Sequence, residues 1–487
     1  MISAIPEEII SIYKKIQEAG FEIYFVGGSV RNLLMKREIK DWDLTTNATP
    51  NELLKIFPEG FYDNKFGTVG VPFEITQKQS EFSPHQNIAE ITTFRTEREY
   101  KDRRHPEIVE WGKTIEDDLS RRDFTINAIA LQCHSEHIRC AQCKLREESQ
   151  KDASALTQHD NRFTIIDPFG GQKDIENKII RAVGDPKKRF KEDALRLLRA
   201  IRLATELSFI IEENTLNELI KDASLIKEIS GERIKTELLR IIGSDYSYEG
   251  IMLLKNSGLL EYIIPELLEG IDISQARPGR HHTTDVFTHN IMSLKYTPSK
   301  DPIVRFAALI HDIGKPRVAA PDEEGLITFY NHEMVSAKMA REITDRLKFS
   351  RKERDRVVNL IRWHMFTVNE HITDAAVRRF IRRVGVENVK DIVDLRIGDR
   401  LGGGTQTAQS WRLKKFKERV EEQLKPAPFS INDMAIDGKD VMKELNIPPG
   451  PKVGEILQKL FEEADEDLEK NNKEYLLKRI KEIGKET

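Results

Sequence analysis

VGGSVRNLLMKREIKDWDLTT, running from Val26 to Thr46, is the stretch that decides how this chain is read. An apolar run, FEIYFV from Phe21, leads into Gly27 and Gly28 and then into a helix-like pattern. A glycine turn between strand and helix can hold a triphosphate on backbone N–H groups. A glycine pair alone is a weak signal. Thirteen residues after Gly28 come Asp41 and Asp43, one residue apart. On a strand, alternate side chains share a face, so both carboxylates point the same way. Two adjacent carboxylates repel one another and suit a pair of Mg²⁺ ions. Such ions can activate a 3′-hydroxyl and stabilise a pyrophosphate leaving group. The competing reading is a solvated Asp-x-Asp in a turn.

Outward from this stretch, residues 1–180 mix strand and helix signals. EIVEW from Glu107 and TINAIAL from Thr125 are further strand candidates. From Phe190 the pattern turns helical, and RFKEDALRLLRAIRLATEL repeats apolar positions at three- and four-residue spacing. The division expected is a head over 1–180, a helical neck over 181–250, a helical body over 251–425 and a helical tail over 426–487. There are no internal repeats.

With 487 residues the chain can bury more than one core. Hydrophobic residues are 39% and charged residues 32%, which excludes a disordered chain. No apolar run reaches the ~20 residues of a membrane span. Glu7 and Glu8 inside the first helical pattern argue against a signal peptide. Three cysteines cannot make a disulfide framework, so the expected compartment is cytoplasmic. The net charge of −4 does not favour nucleic acid, but its distribution does. Between 181 and 203 lie Arg181, Lys187, Lys188, Arg189, Lys191, Arg196, Arg199 and Arg202, a set that can track phosphates. WRLKKFK from Trp411 reads instead as a solvated helix face.

Several segments together resemble the class II tRNA nucleotidyltransferases, the CCA-adding and poly(A) polymerase family within the polymerase-beta superfamily. GG followed by DWDLTT is similar to that family's first motif. EITTFRTEREYKDRRHP from Glu90, EDDLSRRDFTINAIAL from Glu116, and DPFGGQKDIENKIIRAVGDPKKRFKEDALRLLRAIRLA from Asp167 follow in the family's order. SGERIKTEL from Ser230 and DGKDVMKELNIPPGPKVGEIL from Asp437 complete it. The resemblance implies an α+β fold: a small polymerase-beta-like head with a mixed sheet, then all-helical neck, body and tail.

It also implies site residues. Asp41 and Asp43 would be catalytic and bind Mg²⁺. Gly27, Gly28, Arg31, Asp118, Arg121, Arg122, Asp123 and Asn127 would hold the ribose and triphosphate. Glu192, Asp193, Arg196 and Arg199 would serve nucleotide recognition, with Asp193 and Arg196 expected on one helix face. A carboxylate acceptor and a guanidinium donor can pair with the edge of cytosine or adenine, so the protein acts as template and uracil or guanine leaves buried groups unpaired. The partners implied are tRNA, CTP and ATP, with no membrane. The loop REYKDRRHP, with Tyr100, Asp102, Arg103, Arg104 and Pro106, argues against CC-only addition. Full CCA addition is the leading reading, by analogy; A addition beside a CC-adding partner, or poly(A) synthesis, is the alternative.

A second constellation is similar to the HD phosphohydrolases. His289, then His311 and Asp312 in AALIHDIGKP, then Asp399 match that domain's core pattern, placed at about 285–400. His332 and His364 would serve a second ion. Imidazole and carboxylate ligands suit Mn, Ni, Fe or Zn. This implies hydrolysis of phosphates on RNA ends, and as a rival to nucleotide addition it would be the main activity. Buried, hydrogen-bonded histidines are the plainer alternative. His281 and His282 are read as loop residues.

One segment departs from the family. About thirty residues, 133–163, are inserted where a short connection is expected, and they hold Cys133, Cys140 and Cys143. One Cys-x-x-Cys is half a structural zinc motif, completed only if His134, His137 or His159 joined it. The reading therefore favours a polar surface insertion without zinc.

Overall fold

Ile23–Val26 forms strand β1, buried at all four positions, and an apolar run of this kind belongs at the centre of a sheet. The computed structural model describes residues 5–39, 41–62, 67–73, 87–100, 106–112, 114–134, 163–275, 284–366, 372–405, 407, 411–424 and 431–486. Among these, the strands that follow up to residue 166 are β2 (Trp42–Thr46), β3 (Phe61–Tyr62), β4 (Thr68–Phe73), β5 (Asn87–Thr93), β6 (Arg95–Tyr100), β7 (Pro106–Trp111), β8 (Ala130–Cys133) and β9 (Phe163–Ile166). Seven of them make one sheet in the order β3-β4-β5-β2-β1-β8-β9. Only β2 and β5 run parallel, which makes the sheet mixed, as expected. The strands β6 and β7 form a separate hairpin.

One sheet face is covered by the helix Glu7–Glu18, whose buried residues Ile9, Ile12, Tyr13 and Ile16 follow helical spacing. Tyr13 stacks on Phe25 at 5.2 Å and donates its hydroxyl to the Ile23 carbonyl at 2.6 Å. The other face packs Tyr24, Val26 and Ala130 against Phe94 and Leu119.

Two local expectations need correction. TINAIAL opens as a 3-10 turn over Thr125–Asn127, and its strand begins only at Ala130. Carboxylates fix that turn: the Thr125 hydroxyl donates to Asp174 at 2.7 Å and the Asn127 amide to Asp123 at 3.1 Å. The second correction is at Asp193. The helical pattern there is two helices, Pro186–Glu192 and Leu195–Leu207, with Asp193 extended between them (φ −144°, ψ 105°). Asp193 accepts the Leu195 N–H at 3.0 Å, satisfying an open donor of the second helix.

The inserted segment connects β8 to its antiparallel neighbour β9. Cys133 belongs to the head core, where burial pushes its thiol up to about 12. Cys140, Cys143, His137 and His159 lie outside the described residues, as do Asp102, Arg103 and Arg104 of the loop and His281 and His282.

The chain divides into two compact units, Met1–Ile263 and Ile264–Thr487. The first holds the sheet and the neck helices. In the second, the helix Val286–Tyr296 lies along Val389–Gly402. Gly402 permits that approach, since a Cβ there would strike Ser293. Farther along, Gly438–Leu445, Pro451–Glu466 and Lys473–Glu486 share a core built on Val441, Leu460, Leu476 and Ile480. Among the described residues no helix is long and apolar enough to cross a membrane.

Candidate functional site

The first unit holds a cavity of about 420 Å³ where the end of β1 meets β2, β5 and the neck. Gly27 and Gly28 line it and open the helix Gly27–Leu34. Gly27 has φ +69°, and a Cβ there would lie 3.0 Å from Arg122 Nη1 and 3.1 Å from Asp43 Oδ2. A side chain there is accommodated only if Arg122 and Asp43 give way by a few tenths of an ångström.

Asp43 lines the cavity on β2 and receives the Gly28 N–H. Burial raises its pKa, Arg122 opposes this and Asp41 adds to it. A carboxylate desolvated beside a second carboxylate is a fit environment for a divalent cation. Asp41 is exposed and sits just ahead of the strand; it is not among the residues lining the cavity. Glu90 was not singled out as a site residue in the sequence reading. It pairs in register with Asp43 across the parallel β2–β5 ladder and lines the same cavity. Only strand register brings these two together, and no local pattern reports it.

Arginines line the same cavity as the carboxylates. Asp118 is fully buried behind them and holds Arg121 at 2.6 Å and Arg122 at 2.9 Å, one carboxylate oxygen each. Burial works against its charge, yet the two guanidiniums keep its pKa below the usual range. Asp118 thus positions the arginines rather than lining the cavity. Asp123 grips Arg199 at 2.5 and 2.7 Å and accepts from Asn127. Despite complete burial, Arg199 and Asn127 hold its carboxyl well below the usual range. Asn127 in turn accepts from Arg31 at 2.6 Å. Burial lowers Arg31 to about 10.

Asp193 and Arg196 both line the cavity; the Arg196 N–H donates to the Asp193 carbonyl at 3.0 Å, but their side chains turn to other partners. Asp193 is held by Arg233, Nη2 to Oδ2 at 2.7 Å and Nη1 to Oδ1 at 3.2 Å. Arg196 is held by Glu192 at 2.5 Å and donates to the Arg189 and Arg121 carbonyls at 2.9 and 3.2 Å. Glu192 therefore acts from behind, and Arg233, in SGERIKTEL, is a second residue without an assigned role in the sequence reading.

The second unit brings all six residues of the second constellation together. Asp312 is central. Its Oδ2 lies 3.1 Å from His289 Nε2 and 3.2 Å from His311 Nε2. Its Oδ1 lies 3.2 Å from His332 Nε2 and 3.6 Å from His364 Nε2. Asp399 Oδ1 is 3.3 Å from His289 Nε2, while Arg396 holds its other oxygen at 2.7 Å. Ligand bonds of about 2.1 Å at right angles put ligand atoms about 3 Å apart, so these separations fit shared ions. His311, His332 and His364 each turn Nδ1 to a carbonyl three residues back, at 2.9, 2.7 and 2.7 Å. That leaves Nε2 aimed inward, the orientation metal-binding histidines need. Asp312 Oδ1 and His332 Nε2 are buried without a well-formed hydrogen bond. Two triads, His289–His311–Asp312 and Asp312–His332–His364, could each hold a metal ion.

Electrostatics agree with that fit at His364, while at His311 they favour a proton that a metal ion would have to displace. Burial, with His311 adding to it, drops His364 to about 3, so its ring is neutral. Burial also opposes charge on His311, but Asp312 and Asp399 outweigh it and push His311 up to about 10. The sequence reading did not single out Lys315, which reaches Asp312 Oδ2 and Gln275 Oε1, both at 2.5 Å.

Residues 23–142 match the Poly A polymerase head domain, 208–270 the "Probable RNA and SrmB-binding site of polymerase A", and 321–480 tRNA nucleotidyltransferase domain 2. The chain is 38% identical to a CCA-adding enzyme of Geobacillus kaustophilus over 53% of its own length and 54% of that protein. It thus spans about half the length of that relative. It is 34% identical to an A-adding tRNA nucleotidyltransferase of Deinococcus radiodurans over 72% of itself and 75% of that protein. Its fold is similar to the crystal structure of the Bacillus stearothermophilus CCA-adding enzyme in complex with CTP, with a TM-score of 0.69, 26% identity and coverage of 98% and 97%.

Proposed function

Because this chain belongs to the tRNA nucleotidyltransferase family, whose members use metal ions for nucleotidyl transfer, we propose that it adds CCA to tRNA 3′ ends from CTP and ATP. The observation that carries the reading is the single cavity lined by Asp43 and Glu90 of the sheet, by Arg121 and Arg122, and by Asp193 and Arg196 of the neck. The tRNA 3′-oxygen attacks the α-phosphorus in line, the bond to the bridging oxygen breaks, and pyrophosphate leaves. Mg²⁺ held by Asp41 and Asp43 would stabilise charge on the attacking and leaving oxygens. Arg121 and Arg122, fixed by Asp118, bind the triphosphate, and catalysis is mostly positioning and charge stabilisation. Asp193 accepts the exocyclic amino group of cytosine or adenine, and Arg196 donates to the neighbouring ring acceptor. Uracil would present an acceptor to the Asp193 carboxylate. The test is incorporation from CTP, ATP, UTP and GTP. Asp193→Ala should lower use of CTP and ATP and narrow their advantage over UTP and GTP; unchanged discrimination would remove Asp193 from base reading.

A second reading rests on Asp312, which turns one oxygen to each of two histidine pairs. It supports an accessory phosphohydrolase with a transition metal, Mn, Ni, Fe or Zn, at His289, His311, Asp312 and Asp399, and a second ion at His332 and His364. Water adds to phosphorus and the ester oxygen leaves as a hydroxyl. His311→Ala should abolish metal-dependent phosphate-ester hydrolysis, and retention of that activity would exclude the assignment.

A further inference from the structure

Strand register extends the Asp43–Glu90 pair outward across the sheet. Glu90 is opposite Gly70 on β4, and Gly70 is opposite Phe61 on β3. Asp43, Glu90, Gly70 and Phe61 therefore make one cross-strand row on one face. The Phe61 ring lies over Gly70: a Cβ at Gly70 would stand 2.6 Å from Phe61 Cζ and 3.0 Å from Cε1 and Cε2. Bare backbone at Gly70 is what lets the ring lie down on the sheet. Strands are spaced about 4.8 Å apart, so the ring rests roughly one spacing beyond Glu90 and two beyond Asp43. Phe61 is 44% exposed. Ile88, two residues before Glu90 on β5, shares this face and is 40% exposed.

The groups assigned to the incoming nucleotide occupy the other side of Asp43. Gly27 follows β1 and lies against Arg122, and Arg196 and Arg199 bond to Arg121 and Asp123 in the segment leading to β8. The strand that supplies the 3′-hydroxyl then comes over β5 and β4, and its last base reaches Phe61. An exposed aromatic face holds an unpaired base by stacking, whatever that base is. Such tolerance suits this position, because the last base changes as addition proceeds. We propose that Phe61, with Ile88 beside it, is the stacking platform for the last base of the tRNA 3′ end and sets the attacking hydroxyl toward Asp43 and Glu90. This rests on the nucleotidyl-transfer reading of the cavity and adds the place of the attacking strand.

The test uses the full chain with a tRNA transcript ending in CC and with the same transcript whose last nucleotide has no base. Phe61→Ala should lower kcat/KM for the first about tenfold, leave KM for ATP within about twofold, and match the wild type on the baseless transcript. Phe61→Tyr should restore the wild-type value and Phe61→Leu, which has bulk but no π-face, should not. Equal losses on both transcripts, no loss on either, or recovery by Phe61→Leu would overturn the proposal. A readout without turnover accompanies it: a transcript ending in the fluorescent base pyrrolocytosine should be quenched on binding the wild type and much less on binding Phe61→Ala. Failure of the wild type to extend any transcript would defeat the nucleotidyl-transfer reading itself. The quenching then decides the stacking surface alone, and equal quenching by both chains would overturn that too.

Discussion

Gly27 shows how little room the cavity of the first unit leaves. Its positive φ costs any other residue about 1–2 kcal/mol, and an added Cβ meets Arg122 and Asp43 at 3.0 and 3.1 Å. Gly27→Ala should therefore lower the melting temperature by a few degrees and cut nucleotide incorporation by at least about tenfold. A variant with both values unchanged would show that this contact is not part of the site. Asp43→Asn keeps the shape but removes the charge on which the proposed Mg²⁺ site rests, and incorporation should fall by roughly 10³-fold with melting little affected. At this scale the sequence was legible where chemistry is local. The Asp41–Asp43 spacing, the Arg121–Arg122 pair and the HDIGK run around His311 can all be read along the chain. Glu90 and Arg233 could not be. Glu90 reaches Asp43 only through parallel strand pairing, and Arg233 reaches Asp193 across forty residues of chain.

Among elements, the break at Asp193 is the main departure from the sequence pattern. Apolar periodicity runs through Phe190 to Leu207 without interruption, because both helices bury residues there. The bend is decided by Asp193 bonding to Leu195 and to Arg233, which periodicity does not report. It separates Asp193 from the helix that carries Arg196, so the two can approach a base edge from different elements. A comparable polar joint fastens the helix Pro451–Glu466 to Asp374–Val384. Asp465, buried, accepts from Arg378 at 2.8 Å and from Arg382 at 2.5 Å. Asp465→Asn leaves two guanidiniums without their counter-charge and should destabilise the second unit by on the order of 3 kcal/mol in urea melts. Burial opposes the Asp465 charge, but both arginines outweigh it and hold the carboxyl below its usual range. Its contribution is then full above the unfolded value of about 4 and is lost as pH falls through and below it. The stabilities of wild type and Asp465→Asn should converge on acidification. A gap that stays constant from pH 7 to pH 3 would contradict this.

For the whole molecule, the order of motifs along the chain was enough to anticipate a mixed-sheet head followed by helices, because each motif brings its own element. The two candidate sites lie in different compact units and share no residue. Asp43→Asn should abolish nucleotide addition and spare phosphate-ester hydrolysis, and His311→Ala should do the reverse. Joint loss in either variant would contradict this independence. The central claim, that one cavity adds C, C and A in turn, is tested most directly by extending tRNA transcripts that end at the discriminator base, at C and at CC. With CTP and ATP together, all three should grow to CCA. Extension of the CC-ending transcript alone, by one A, would contradict that claim and make the protein an A-adding enzyme.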